Sequence, residues 1–213
     1  MPLRNRVLPD GDIISSSHRG TMMGNRGGKF HNPSTQELLP IRRWASRQWI
    51  CCVTDFKNRS REVMGQYYTE LFFLDEVTAL AAGHRPCFEC RRKAAVEFAE
   101  HWQSLFKLDQ RPKVRVMDDA LHNERLDGRK KRTHRMSWHD IPDGTAFSVD
   151  NEIWVRHQDA SLLWSTGGYR RTSRLALQKS EVIECLTPPT IVEIMRAGYQ
   201  PQWHPTAAHP IPD

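Results

Sequence analysis

The 213-residue sequence contains no uninterrupted apolar run of the roughly 18 residues that a membrane-spanning helix requires. Its first residues also lack the apolar core of a secretory signal. The five cysteines are an odd number, which argues against a framework of disulfide bonds in a chain without an export signal. We therefore expect a soluble, cytoplasmic protein with no membrane partner, whose thiols are buried, reactive or bound to a metal.

Positive charge is in excess, with 31 Lys and Arg against 25 Asp and Glu. Several of the basic clusters lie close to Trp or Tyr, and cations neutralise phosphates while aromatic rings stack on bases. This pattern favours DNA or RNA as a partner, although the clusters could also be solvated faces with the Trp residues in the core. The predicted nucleic-acid contacts are Arg26, Arg85, Arg91, Arg92, Arg129, Lys130, Lys131, Arg132, Arg135, Trp164, Arg170 and Arg171.

Local patterns predict a mixture of short strands and helices. Residues 48–56 are rich in β-branched and aromatic side chains and predict a strand. Asp75 is a predicted N-cap for a short helix over 76–82 that ends at Gly83. An amphipathic helix is predicted from near residue 87 to near residue 108, and a strand followed by a short helix over 114–125. The pair Asp150-Asn151 predicts the turn of a β-hairpin.

The run with the most chemical content is Ala-Leu-Ala-Ala-Gly-His-Arg-Pro-Cys-Phe-Glu-Cys, residues 79–90. A short helix ends at Gly83, a proline sets a turn, and Cys87 and Cys90 flank the first turn of the next helix. The positive end of a helix favours the thiolate form of cysteine. Two cysteines at this spacing can also present both sulfurs to one tetrahedral zinc ion.

This run resembles the second half of the N-terminal metal-binding domain of the Ada-type methyl-phosphotriester repair proteins. In that family four cysteines hold zinc, and one of the first pair accepts a methyl group from a DNA phosphate. Cys87 and Cys90 match the second pair, whereas the first pair has no counterpart in this chain. The resemblance implies a zinc-type module that acts on DNA, in repair or in the processing of modified nucleic acid.

A third sulfur ligand is expected from the predicted strand. Adjacent residues of a strand point to opposite faces, so at most one of Cys51 and Cys52 should meet the other two thiols. The predicted metal ligands are Cys52, Cys87, Cys90 and His84, and the predicted cofactor is zinc. Three interpretations stay open: a rebuilt structural zinc site, a zinc-type fold stabilised without metal, and a reactive cysteine.

Asp118, His122 and Glu124 are the candidate catalytic residues. On a helix, Asp118 and His122 lie four residues apart, so the carboxylate could orient the imidazole as a general base. The alternative is an ordinary surface helix with an ion pair.

Together these features predict an α+β protein with a central Ada-like zinc-type module flanked by β-rich segments. The predicted divisions are an irregular Gly-rich segment over 1–43, the module over 44–110, and a mixed α/β region over 111–213 packed on it. The leading hypothesis is an enzyme, hydrolytic or glycosylase-like, acting on nucleic acid. The alternatives are a non-catalytic zinc-type regulator that binds DNA or RNA, and a small-molecule enzyme that holds a phosphate in the loop over 20–28.

Overall fold

Two six-stranded sheets dominate the structure, a computed structural model that describes residues 1–58, 62–172, 175, 177–178 and 181–211. With four α-helices in the described part, the chain is an α+β protein, as predicted. The strands are Arg4–Val7 (β1), Ile13–Ser15 (β2), Met22–Arg26 (β3), His31–Asn32 (β4), Glu37–Leu38 (β5), Trp49–Val53 (β6), Leu71–Phe73 (β7), Arg85–Pro86 (β8), Leu126–Asp127 (β9), Lys130–Lys131 (β10), His134–Ser137 (β11), Ala146–Val149 (β12), Glu152–His157 (β13), Ala160–Ser165 (β14), Gly168–Arg170 (β15) and Val182–Cys185 (β16). The helices are Glu76–Ala81 (α1), Arg92–Leu105 (α2), Val114–Arg125 (α3) and Pro189–Arg196 (α4), with short 3-10 turns at Trp138–Asp140 and Pro205–Ala207.

The first sheet has the strand order β2-β1-β7-β3-β6-β8 and takes three strands from residues 1–43. The prediction of an irregular Gly-rich segment there is therefore wrong. The glycines instead let backbones approach closely: a Cβ at Gly24 would lie 2.0 Å from the Ile50 carbonyl oxygen, and one at Gly20 would lie 2.0 Å from that of Phe73. Because β3 lies between β7 and β6, the segments 1–43 and 44–110 share one sheet.

The second sheet is antiparallel throughout, in the order β11-β16-β12-β13-β14-β15. Its β12–β13 turn confirms the predicted hairpin. Asp150 and Asn151 have φ values of +49° and +63°, the left-handed conformation that two-residue hairpins require and that Asp and Asn adopt most readily.

Helix α1 lies between the two sheets, and all six of its residues are buried. Ala79 packs in the core of the first sheet, whereas Val77 and Ala81 pack in the core of the second. The predicted cap is confirmed, since the Asp75 carboxylate accepts a 2.9 Å hydrogen bond from the backbone N–H of Thr78. This short helix therefore joins the two halves of the molecule.

Helices α2, α3 and α4 form a separate core. The prediction of a strand at the start of 114–125 is wrong, because the whole segment is helix α3. Met117 and Leu121, four residues apart, place an apolar face against Phe98 and Ile194. That burial outweighs the strand preference of the β-branched residues at the beginning of the segment. Among the described residues, no helix combines the length and apolar character needed to cross a bilayer.

Candidate metal centre

Sheet pairing brings the three cysteines together. Strand β8 runs parallel to β6, and the backbone N–H of Cys87 donates a 2.9 Å hydrogen bond to the Cys51 carbonyl, which places Cys87 beside β6. The chain then turns, with the N–H of Arg91 donating to the Cys87 carbonyl at 3.0 Å, and this turn returns Cys90 to the same place just before α2. The structure thus forms a Cys-x-x-Cys knuckle against the edge of a strand.

The sulfur atoms of Cys52, Cys87 and Cys90 all lie within 4.8 Å of one another. A zinc–sulfur bond of about 2.3 Å in tetrahedral geometry separates two sulfurs by about 3.8 Å, so small shifts would let all three bind one ion. Cys51 faces the opposite side of β6, where it is buried in the core of the first sheet. The expectation that only one of the adjacent cysteines joins the cluster is therefore confirmed, and the three sulfurs could hold a metal ion.

The three thiols share hydrogen bonds in a way that favours a thiolate. Hydrogen bonds from the Cys52 and Cys90 thiols lower the pKa of Cys87 well below its ordinary value, and the bond to Cys87 raises the pKa of Cys52. The backbone N–H of Glu89 also donates to the Cys87 sulfur at 3.4 Å. Negative charge is thus concentrated on one sulfur, the form in which cysteine binds metals or attacks electrophiles.

A cavity of about 430 Å³ opens in front of the cluster and is lined by all three cysteines. Aromatic rings of Phe56, Tyr68 and Phe72 form part of its wall. It also contains cationic and anionic side chains, namely those of Arg19, Glu70 and Glu89. Among the described residues, the group that could hold a metal has three members, which leaves a fourth coordination position for a ligand from this cavity.

The prediction of His84 as a ligand is wrong. His84 is fully buried on the other side of β6, with its ring 5.0 Å from that of Trp49 and 4.7 Å from that of Phe73. Its Nε2 accepts a long hydrogen bond from Arg26, and burial together with neighbouring arginines lowers its pKa. Proximity in sequence to Cys87 is misleading here because the two residues flank strand β8, where positions three apart face opposite sides of the sheet.

The candidate catalytic residues do not converge on one another. Asp118 accepts two hydrogen bonds from the buried Arg85 guanidinium, at 2.8 and 3.0 Å. Glu124 instead accepts bonds from the backbone and hydroxyl of Thr190 at the start of α4. His122 packs its ring edge-on against Trp44 at 5.5 Å. These contacts hold helices and loops in place, so the predicted Asp118–His122 general base is wrong.

The predicted nucleic-acid contacts occupy very different environments. Arg85 and Arg91 are buried in two-point ion pairs with Asp118 and Glu76, and neither lines the cavity beside the sulfurs. Trp164 is half-buried and donates through its ring nitrogen to the Thr78 hydroxyl at 3.0 Å. Arg26 is buried and Lys131 half-buried, whereas the exposed members are Arg92, Arg129, Lys130, Arg132, Arg135, Arg170 and Arg171.

Sequence patterns did not indicate the residues that surround the sulfurs. Glu70, Tyr68 and Phe72 reach the cavity from β7 and the loop before it, 15 to 19 residues before Cys87. They meet the cluster through the pairing of β7 with β3 and of β3 with β6. Only the two aromatic residues at positions 72 and 73, whose side chains alternate across a strand, give a local indication of a strand in this region.

Comparison of the chain with protein-family models, with curated proteins and with solved structures finds no match.

Proposed function

We propose that this protein is a zinc-dependent hydrolase that processes modified nucleic acid, with zinc bound by Cys52, Cys87 and Cys90. The observation that carries the proposal is the position of the three sulfurs in the wall of a cavity lined by aromatic rings. Catalytic zinc sites keep three protein ligands and one open position, whereas structural sites are closed by four. A three-sulfur cluster facing a cavity fits the first kind.

The open position would hold a water molecule. Zinc lowers the pKa of bound water to about 7, so hydroxide is available near neutral pH. The cavity contains two carboxylates, from Glu70 and Glu89, either of which can accept the proton. A zinc ion held there would supply activated water for hydrolysis, and the carboxylate that accepts the proton could return it to the leaving group.

The shape and lining of the cavity support a nucleotide as the reacting unit. Its volume of about 430 Å³ lies in the usual range for small-molecule sites. The half-buried Tyr68 could present its ring to a base, as in enzymes that act on unpaired or flipped-out nucleotides. The Arg19 guanidinium stacks on the Phe72 ring at 4.3 Å and supplies a cation for a phosphate.

A second candidate is a non-catalytic zinc-type protein that binds DNA or RNA. It is favoured by the way the cluster ties strand β6 to the turn before α2, a connection that a structural metal would reinforce. Both candidates require zinc, but only the first requires turnover.

Elemental analysis of the purified protein is the first test. We expect one zinc per chain in the wild type and in C51A, whose thiol faces away from the cluster, and loss of zinc in C52A. A wild-type protein without zinc after purification and after incubation with zinc would overturn both candidates.

Turnover is the second test. Single-stranded oligonucleotides carrying alkylated bases or abasic sites should be cleaved by the zinc-loaded wild type and by C51A. They should not be cleaved by C52A or by E70Q, provided that thermal unfolding shows both variants to be folded. Zinc-loaded wild type that binds these oligonucleotides without cleaving them would leave the second candidate and eliminate the hydrolase.

A further inference from the structure

A second cavity, of about 270 Å³, lies on the opposite face of strands β3 and β6 from the three cysteines. Along β6, Ile50 and Cys52 face the sulfur cavity, whereas Trp49 faces this one. Along β3, Asn25 likewise faces the sulfur cavity, whereas Arg26 faces the second cavity. The lining contains six basic side chains, two aspartates and two tryptophans, namely Arg26, Arg43, Arg125, Arg129, Lys130, Lys131, Asp10, Asp12, Trp44 and Trp49.

Two of the arginines are almost completely buried, each with 1% of its surface exposed. Arg26 donates to the Gly11 carbonyl at 2.8 Å, and Arg125 donates to the carbonyls of Gly83 and Arg47 at 2.8 and 2.7 Å. Within the described residues, neither guanidinium forms an ion pair with a carboxylate. Backbone carbonyls satisfy some of their N–H groups but leave two positive charges in the interior.

Trp49 holds both charges in place. The Arg26 guanidinium lies 4.0 Å from the centre of the Trp49 ring, and that of Arg125 lies 3.9 Å from it. Such cation–π contacts stabilise desolvated cations. They offset only part of the cost of burying a cation that has no anionic partner.

One buried nitrogen atom of a residue that lines this cavity, Nε of Arg125, lacks a hydrogen-bond partner among the described residues. Buried polar groups are nearly always paired, and an exception at a cavity of this charge indicates a missing ligand. The Nε–H of Arg125 is a donor and therefore requires an acceptor. An anion would supply both that acceptor and the missing negative charge.

Lys131 adds a third cation, with its Nζ donating to the Ala81 carbonyl. Burial is the main reason that its pKa falls to about 7; Arg125 and Arg26 lower it further, while Asp10 acts in the opposite direction. The other aspartate of the lining, Asp12, is already paired with Arg43 at 3.0 Å. Two carboxylates therefore offset only part of the charge of the six basic side chains in this lining.

We propose that this cavity binds a phosphate group, whether free, on a nucleotide or at the end of a nucleic-acid strand. Phosphate is an anion, so it can pair with the three cations Arg26, Arg125 and Lys131 that line this cavity, and its oxygens accept several hydrogen bonds at once. A cavity of about 270 Å³ is larger than a phosphate group, so it can also accommodate part of an attached group next to the half-buried Trp44. Because the sulfurs lie on the other face of the sheet, this proposal stands whether or not the protein is a zinc hydrolase.

Isothermal titration calorimetry with three probes tests the proposal: inorganic phosphate, a nucleoside monophosphate, and a short oligonucleotide with or without a 5′-phosphate. We expect the wild type to bind phosphate, and K131M to bind it about tenfold or more weakly because a charge-assisted bond is lost. The matched control is K113M, which makes the same change at an exposed lysine outside the cavity. The control should bind like the wild type.

The comparison of probes identifies the source of the phosphate. Tighter binding of the nucleotide than of free phosphate indicates a nucleoside next to the cavity. Binding only of the 5′-phosphorylated oligonucleotide indicates a strand end. The proposal is overturned if the wild type binds none of the probes, or if K131M and K113M bind them equally.

A second variant tests the proposal in case K131M does not fold. Arg129 is exposed and lines the cavity, so R129M should keep the fold while weakening phosphate binding severalfold. Unaltered phosphate affinity in folded R129M, together with unaltered affinity in folded K131M, would exclude this cavity. All of these variants should contain the same amount of zinc as the wild type. A loss of phosphate binding can then be distinguished from a loss of zinc binding.

Discussion

Arg85 and Asp118 form a buried ion pair in which both oxygens of the carboxylate accept hydrogen bonds from the guanidinium, at 2.8 and 3.0 Å. The pair joins strand β8, which leads into the Cys-x-x-Cys turn, to helix α3. Both side chains are almost inaccessible to solvent. The two residues that sequence patterns assigned to catalysis and to nucleic acid thus form one structural contact next to the Cys-x-x-Cys turn.

Removal of Asp118 should destabilise the protein strongly. D118A leaves the Arg85 charge buried without a partner, and we expect a loss of about 3–5 kcal/mol in the free energy of unfolding. The matched control is D119A, whose carboxylate forms partly exposed pairs with Arg47 and Arg115 and should cost about 1 kcal/mol or less. Urea denaturation measures both. Equal losses in the two variants would contradict the buried pair.

Two glycines allow the packing of Arg125 to be tested. Gly83 and Gly128 both have positive φ, at +85° and +60°, so alanine costs about 1–2 kcal/mol of backbone strain at either position. A Cβ at Gly83 would also lie 2.6 Å from the Arg125 Cδ, whereas nothing lies within 4 Å of one at Gly128. We expect G83A to lose more unfolding free energy than G128A and to bind phosphate more weakly. Chemical denaturation and calorimetry give the two comparisons; equal losses of stability would contradict the contact.

Zinc should stabilise the folded chain, because only folding brings the sulfurs of β6 and of the Cys-x-x-Cys turn together. At a free zinc concentration of one hundred times Kd, the free energy of unfolding should rise by about 2.7 kcal/mol. The increase should appear in the wild type and in C51A and be absent from C90S. Thermal or urea unfolding with and without zinc measures it. A similar increase in C90S would mean that zinc binds elsewhere.

Sulfate affinity should depend on pH through Lys131. Sulfate keeps its charge from pH 6 to pH 9, whereas Lys131, with a pKa of about 7, loses its proton over this interval. Because the anion binds best to the protonated lysine, affinity should fall as the pH rises through 7, by up to tenfold per pH unit. Calorimetry at several pH values measures this slope. The other ionisable groups that interact with Lys131 are Asp10, Arg26, His84, Arg125 and His134.

The K131M variant is the control for that slope, since its sulfate affinity should change little across the same pH interval. Stability without any anion gives an independent check. The folded pKa of Lys131 lies below its unfolded value of 10.5, so the unfolded chain binds more protons between about pH 7 and pH 10.5. The stability of the wild type relative to K131M should therefore rise with pH across that window. A slope of the opposite sign would contradict the burial of this lysine.

Short-range signals in the sequence predicted several local features correctly. The carboxylate of Asp75 caps α1, and Asp150-Asn151 forms the β12–β13 turn. Each depends on hydrogen bonds or backbone conformations within a few residues, which local chemistry determines. The alternation of side chains along a strand likewise separates Cys51 from Cys52. The resemblance to the Ada-type domain stays a prediction.

Errors arose where distant segments decide the environment of a residue. The glycines in and next to β3 suggested a loop, but Gly20 and Gly24 allow the close approach of backbones within a sheet. His84 lies three residues from Cys87 and yet faces the other side of β6. Basic residues that looked alike in sequence divide between buried ion pairs, such as Arg91 with Glu76, and unpaired charges, such as Arg125.

The sequence by itself determined that Cys87 and Cys90 could share one metal ion and that Cys51 and Cys52 face opposite sides of a strand, because ligand spacing and side-chain alternation are local properties. Only the tertiary structure decided that β6 would pair with both β3 and β8, and hence that three sulfurs would lie on one face and the cations of the second cavity on the other. Strand pairing is non-local, and burial selects a register that no short stretch of the chain specifies.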